Sequence, residues 1–185
     1  MGNKPLWSVT FSPEGKRVIG SGRDGMIHLW STDGKPILKF DTEQGWVTSA
    51  RFTADGRRII TAGKDGTIKF WTPTGVLQQS FRSHASSILN LALSPDGEKI
   101  AAAGQDGSIQ VWTMTGQKLA EQQEHLGAVY SLAFAPDSEG LMSVGQDDQI
   151  HRWDVGNIEG LMNRGCAWLK NYLELNPEIE NYCNS

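Results

Sequence analysis

Trp30, Trp71, Trp112 and Trp153 follow one another at a constant interval of 41 residues. A chain with that period is built from copies of one supersecondary unit, each completed by its neighbours. In register the copies read LWSVTFSPEGKRVIGSGRDGMIHLW over 6–30, VTSARFTADGRRIITAGKDGTIKFW over 47–71, ILNLALSPDGEKIAAAGQDGSIQVW over 88–112 and VYSLAFAPDSEGLMSVGQDDQIHRW over 129–153, with no gap.

Each copy opens on a segment with the period of a strand, as where Val47, Ser49 and Arg51 alternate with Thr48, Ala50 and Phe52. A Pro/Asp/Gly turn follows, at Ser12 to Gly15 and Ser94 to Gly97 for example, where proline pre-sets φ and glycine supplies a positive one. A second strand then meets Asp24-Gly25, Asp65-Gly66 or Asp106-Gly107, with Asp147-Asp148 in the last copy. Asp-Gly between two such runs signals a hairpin, and the third strand it starts ends at the tryptophan. A further turn leads into fourth strands over 36–40, 76–81 and 117–122. The chain is therefore all-β.

Four antiparallel strands in about 40 residues, with an aromatic at a fixed place, is the pattern of a propeller blade. Residues 6–153 resemble the WD-repeat β-propeller family. The resemblance implies four blades over 1–156 and a buried polar network in each: a histidine before the first strand, a Ser or Thr in the second, the turn aspartate and the tryptophan. Copy four matches all positions with His125, Ser143, Asp147 and Trp153. Copy three has His84, Asp106 and Trp112 but Ala102 at the hydroxyl position, and copy two has Thr61, Asp65 and Trp71 without a histidine. Copy one keeps Asp24 and Trp30, with Gly20 in place of the hydroxyl. Waters or backbone groups are expected to satisfy what the incomplete copies leave buried, and blade four is expected to be the most rigid.

The same resemblance implies partner contacts just before the turn aspartates, at Arg23, Lys64, Gln105 and Gln146, and at the starts of first strands, at Trp7, Trp46 and Tyr130. Arg23 and Lys64 on adjacent blades suit an acidic segment, with Trp46 as an aromatic anchor; plain surface and edge packing is the alternative. Ser143, His125 and Asp147 are also the residue types of a nucleophilic triad. A hydrolase needs an exposed nucleophile and an oxyanion hole, whereas the sister copies lack one or more of these residues, so the set is read as structural and no catalytic residue is assigned. His28 and His151 share one place in the third strand with Lys69 and Gln110, which reads as a solvent-facing alternation. No metal-ligand spacing and no cofactor motif is found.

A net charge of −4 over 185 residues disfavours nonspecific binding to nucleic acid or anionic membranes, both of which need a basic face. Arg51, Arg57 and Arg58 form the one basic cluster, read as a solvated blade edge. Cys166 and Cys183 lie outside the repeats, so no disulfide framework is expected and a reducing, cytoplasmic setting fits.

From Asn157 the spacing of Ile158, Leu161, Met162, Leu169, Tyr172 and Leu173 becomes helical, predicting a helical tail over 157–185 that caps the last blade or docks a partner. Its RGCAWLKNYLELNP run is similar to the C-terminal end of long bacterial, cyanobacterial-type WD-repeat proteins, which implies the sensing or scaffold half of a signalling system. Blade four is expected to have three strands, and neither end supplies a closing one. The alternatives are a homodimeric eight-blade ring, an open four-blade arc, and a remnant of a larger protein. The function expected is a binding scaffold for a protein or peptide, with a Ser/His/Asp hydrolase as the rival.

Overall fold

The computed structural model describes residues 4–84, 86–123 and 125–155. The predicted helical tail lies outside them. Four antiparallel sheets follow one another as blades. Blade 1 comprises β1 (Leu6–Phe11), β2 (Arg17–Gly22), β3 (Met26–Ser31) and β4 (Pro36–Asp41). Blade 2 comprises β5 (Val47–Phe52), β6 (Ile59–Gly63), β7 (Thr67–Trp71) and β8 (Leu77–Arg82). Blade 3 comprises β9 (Ile88–Leu93), β10 (Lys99–Gly104), β11 (Ile109–Thr113) and β12 (Lys118–Gln122). Blade 4 has β13 (Val129–Phe134), β14 (Gly140–Gly145) and β15 (Ile150–Asp154), three strands among the described residues.

Every sheet is a meander, because the tight Pro/Asp/Gly and Asp-Gly turns let each strand pair only with the next. The turn glycines Gly25, Gly66 and Gly107 have φ of 79°, 77° and 87°. A Cβ at Gly66 would lie 2.2 Å from the His84 carbonyl oxygen in the loop that crosses it. Asp148 holds the same left-handed conformation in blade 4, at φ 57°, where no described loop crosses the turn.

Since the strands alternate, each blade presents two apolar faces, and the cores lie between blades. Ile19, Ile27 and Leu29 of blade 1 pack on Val47, Ala50, Phe52 and Ile59 of blade 2. Ile60, Ile68 and Phe70 of blade 2 pack on Ile88, Leu91 and Ile100 of blade 3, and Ala101, Ile109 and Val111 of blade 3 on Val129, Leu132 and Leu141 of blade 4. The inner strands β1, β5, β9 and β13 adjoin in that order. Among the described residues the blades form an open arc. At its ends, Val9 of blade 1 and Ile150 of blade 4 stand 72% and 67% exposed. Arg58, read from sequence as solvated, instead lays its guanidinium 5.2 Å from the centre of the buried Phe70 ring.

One irregularity recurs and shapes the site. In all four blades the inner strand skips one residue in its pairing with the second: Trp7, Thr48, Leu89 and Tyr130 are each bulged out of register. A bulge re-aims its side chain and bends the strand, and here it does so at the same end of every inner strand.

Phe70→Ala, which empties the centre of the second core, is expected to cost about 3–5 kcal/mol. Val76→Ala, in an exposed outer turn, is expected to stay within about 0.5 kcal/mol of the parent. Urea unfolding midpoints of the two variants check this.

Candidate functional site

A backbone tie fixes where the candidate contact residues stand. The N–H groups of Arg23, Lys64, Gln105 and Gln146 donate to the carbonyls of Pro5, Trp46, Ser87 and Ala128, at 3.0, 2.9, 2.9 and 2.8 Å. The residue before each turn aspartate is thereby pinned against the entry to its own inner strand, with its side chain exposed. Together with the bulges this gathers the predicted contacts. Trp46, Lys64, Gln105, Tyr130 and Gln146 line one hollow of about 490 Å³ across blades 2 to 4, joined by Thr48, Ser87 and Leu89.

Trp7 and Arg23 join through Trp46. The Trp7 ring meets Trp46 edge-on at 5.4 Å, and Trp46 carries two cations: the Arg23 guanidinium 5.0 Å and the Lys64 ammonium 4.5 Å from its ring centre. Such contacts hold a cation by the ring quadrupole and leave its N–H groups able to bond outward. All seven predicted residues therefore belong to one surface. Thr48 and Leu89 were missed, although their place in register with Trp7 and Tyr130 was the available signal.

The polar networks differ from expectation in an instructive way. Blade 4 is as anticipated. The Trp153 Nε1–H donates to Ser143 Oγ (2.8 Å), Ser143 Oγ lies 2.7 Å from His125 Nε2, and His125 Nδ1 reaches the two Asp147 oxygens at 2.9 and 3.0 Å. The His125 bond, with N–H groups of Leu126 and Gln149 adding, holds the Asp147 carboxyl down to about 2.

In the incomplete blades, side chains close most of the gaps that waters or backbone were expected to fill, and the Ser108 carbonyl lies 3.4 Å from His84 Nε2 as a backbone partner. In blade 2 Gln44 replaces the histidine: its Oε1 accepts from Thr61 (2.6 Å), Thr61 accepts from Trp71 (2.9 Å), and Gln44 Nε2 donates to Thr67. Thr67 in turn bonds Asp65. In blade 3 Ser83 supplies the hydroxyl absent at Ala102. It accepts from Trp112 Nε1 (3.0 Å) and lies 2.9 Å from His84 Nδ1, while Asp106 bonds Ser108 instead of the histidine. Burial holds the His84 ring below the ordinary histidine range. In blade 1 the Trp30 indole fills the vacant position, since a Cβ on Gly20 would lie 2.7 Å from it, and Asp24 takes its bond from His28 Nε2 at 2.6 Å.

Position 28 and its equivalents are thus not solvent-facing, which corrects the sequence reading. None of His28, Lys69, Gln110 or His151 is exposed. His28 stacks on Trp30 and His151 on Trp153, each with ring centres 5.4 Å apart; Lys69 donates to the Thr42 carbonyl, and Gln110 bonds Ser83 and Glu121. The error came from treating a blade as one wet and one dry face, when internal blades are covered on both and His28 is sheltered by Trp30 and Asp24.

Sequence spacing offered no metal-ligand set, yet the fold brings His125, Asp147 and His151 within 4.8 Å of one another. Both nitrogens of His125 are already engaged by Asp147 and Ser143. Ser143, at 1% exposure and holding the Trp153 N–H, has no approach for a substrate carbonyl. The Ser143–His125–Asp147 line has the order of a triad and the burial of a brace. A second hollow, of about 390 Å³, opens over Asp24, His28 and Trp30 on the uncovered side of blade 1.

Thr61→Val leaves the Trp71 N–H and the Gln44 oxygen without their shared partner and is expected to cost about 1–3 kcal/mol, read by thermal unfolding. Two groups of the networks contribute to the pH profile, the acid side of which they share with other hydrogen-bonded carboxylates such as Asp24 and Asp106. The folded chain resists protonating His84, so stability is full above the unfolded histidine pKa of about 6.5 and declines as pH falls below it. Asp147 contributes above the unfolded aspartate pKa of about 3.9, and that contribution is lost as pH falls toward its folded value of about 2. Asp147→Asn is expected to make the second limb shallower and His84→Gln to flatten the first, in unfolding curves recorded from pH 8 to pH 2.

One family model matches the chain four times, the WD domain, G-beta repeat, over residues 2–31, 34–72, 75–113 and 116–154. No curated protein matches as a relative. The four matches cover most of the 185 residues; the first spans β1 to β3, and each later one runs from the outer strand of one blade through the first three strands of the next, and the chain belongs to the WD-repeat family, whose members are generally non-catalytic scaffolds for protein–protein interaction.

Proposed function

We propose that this chain is a non-catalytic scaffold that binds an acidic protein segment or peptide across the hollow bordered by Trp46. The observation that carries the reading is the Trp46 ring held between Arg23 and Lys64, beside Trp7. Two cations and two half-exposed indoles offer both carboxylate recognition and an apolar anchor. The amide heads of Gln105 and Gln146 at the hollow's rim can donate to and accept from a peptide backbone. The reading extends to a sensing or scaffold role in a cytoplasmic signalling system of bacterial type, supported by the likeness of the tail, and to a homodimer that completes an eight-blade ring. It requires no cofactor.

Binding of Asp/Glu-rich peptides that carry one aromatic residue, followed by tryptophan fluorescence, tests it. Trp46→Ala and the pair Arg23→Glu with Lys64→Glu are each expected to weaken binding at least tenfold, about 1.4 kcal/mol, with blade stability unchanged. Peptide affinity indifferent to both changes overturns the reading. Ser143→Ala separates the scaffold from a hydrolase: binding persists, whereas any measurable ester or peptide hydrolysis by the parent that vanishes in the variant favours the enzyme.

A further inference from the structure

Among the described residues one face of blade 4 and one face of blade 1 stand uncovered, and the repeat itself says what fits them. In the three internal cores Ile27, Ile68 and Ile109 on one blade share a core with Ala50, Leu91 and Leu132 on the next. Counting on by the 41-residue period leads to Ile150 on blade 4 and Val9 on blade 1, the two most exposed large apolar residues of the end faces. Around Ile150, Met142 and Val144 occupy the places that Ile60 and Ala62 fill in a buried core; around Val9, Leu6 and Phe11 occupy those of Val47 and Phe52. The end faces are thus the two halves of a fourth core of the same construction, and a contiguous exposed apolar patch of this kind marks an interface.

A polar device recurs at two of the three internal seams, the equivalent Arg58 at the second lying over Phe70 instead. At the first seam Arg17 reaches the carbonyl of Gly56 in the next blade's turn (3.4 Å), and at the third Lys99 reaches that of Ser138 (3.1 Å). The equivalent residue in blade 4 is Gly140, which has no side chain to reach with. Arg152, from the adjacent strand, fills the place: its Nε lies 3.9 Å from where a Gly140 Cβ would stand. The turn it would address is that of Gly15, where a Cβ would meet nothing within 4 Å.

We infer that the open face of blade 4 seats the open face of blade 1 of a second copy, head to tail, and that two such seams close a ring of eight blades. The support is continuity with the blade-to-blade interface already made three times in this chain. Eight blades lie within the range that propellers adopt, and a two-fold axis relates the two seams. The inference refines the homodimer of the proposed function and does not depend on the peptide site.

The test is the mass in solution of the 185-residue chain, by size exclusion with light scattering from about 1 to 100 μM, a span covering ordinary homodimer affinities. The parent is expected at twice its 20.3 kDa chain mass, and Val9→Asp and Ile150→Asp, both exposed in the single arc, each at the single-chain mass with the parent's circular dichroism. A parent that runs as one chain throughout overturns the ring, and so does one whose mass climbs past two copies with concentration. A dimer that survives Ile150→Asp overturns the head-to-tail seam, since blade 1 would then be pairing with blade 1. If Val9→Asp fails to fold, Ile150→Asp alone decides. Peptide binding measured on the same samples separates the two readings: single-chain mass with binding intact defeats only the ring, and doubled mass without binding defeats only the scaffold.

Discussion

A propeller blade cannot bury its own faces. Its four short strands make a sheet that is apolar on both sides, so every core in this chain lies between two sheets, and three cores serve four blades. Stability is then a sum over neighbouring pairs: the middle blades are held twice, the end blades once. The same geometry sets the edge pattern. Outer strands such as β4, β8 and β12 are mostly exposed or half-buried, whereas β6 and most of β10 are buried on both faces.

Packing a tryptophan near the outer part of blades 2, 3 and 4 brings its indole N–H into the interior, where it requires an acceptor. The demand recurs; the supply does not. Blade 4 meets it with Ser143 backed by His125, blade 2 with Thr61 backed by Gln44, and blade 3 with Ser83 reaching in from the loop. The resulting chains run from core to turn and tie the Asp-containing hairpins to the loops crossing them, which keeps the rim residues in place.

The blade number, strand triplets and turn positions were legible in the sequence because each is set by a residue at a fixed place in the period, whereas the seven residues that the fold gathers on one rim were named only through the family resemblance. Gln44, Ser83 and His28 were not legible as network members. Reading copies in register asks only whether the same position holds the same residue type, while a hydrogen bond asks only that an oxygen or nitrogen arrive at the right point. Gln44 arrives from one residue further along the loop than the histidine it replaces, Ser83 from one residue earlier, and His28 from a different strand. A polar side chain beside a missing network position was the signal that could have found Gln44; Ser83 lies beside the histidine that is present, far in sequence from the hydroxyl missing at Ala102. The helical tail predicted over 157–185, as a cap or a docking segment, lies outside the described residues.

The ties that place Arg23, Lys64, Gln105 and Gln146 use only main-chain N–H and carbonyl groups. The scaffold therefore places no demand on which side chain stands at those four sites, and the chain already uses two kinds of cation and an amide there. Recognition can drift at these positions while folding stays still: a substitution that redirects the chain to another partner need not loosen a single strand, so affinity and architecture can be selected separately.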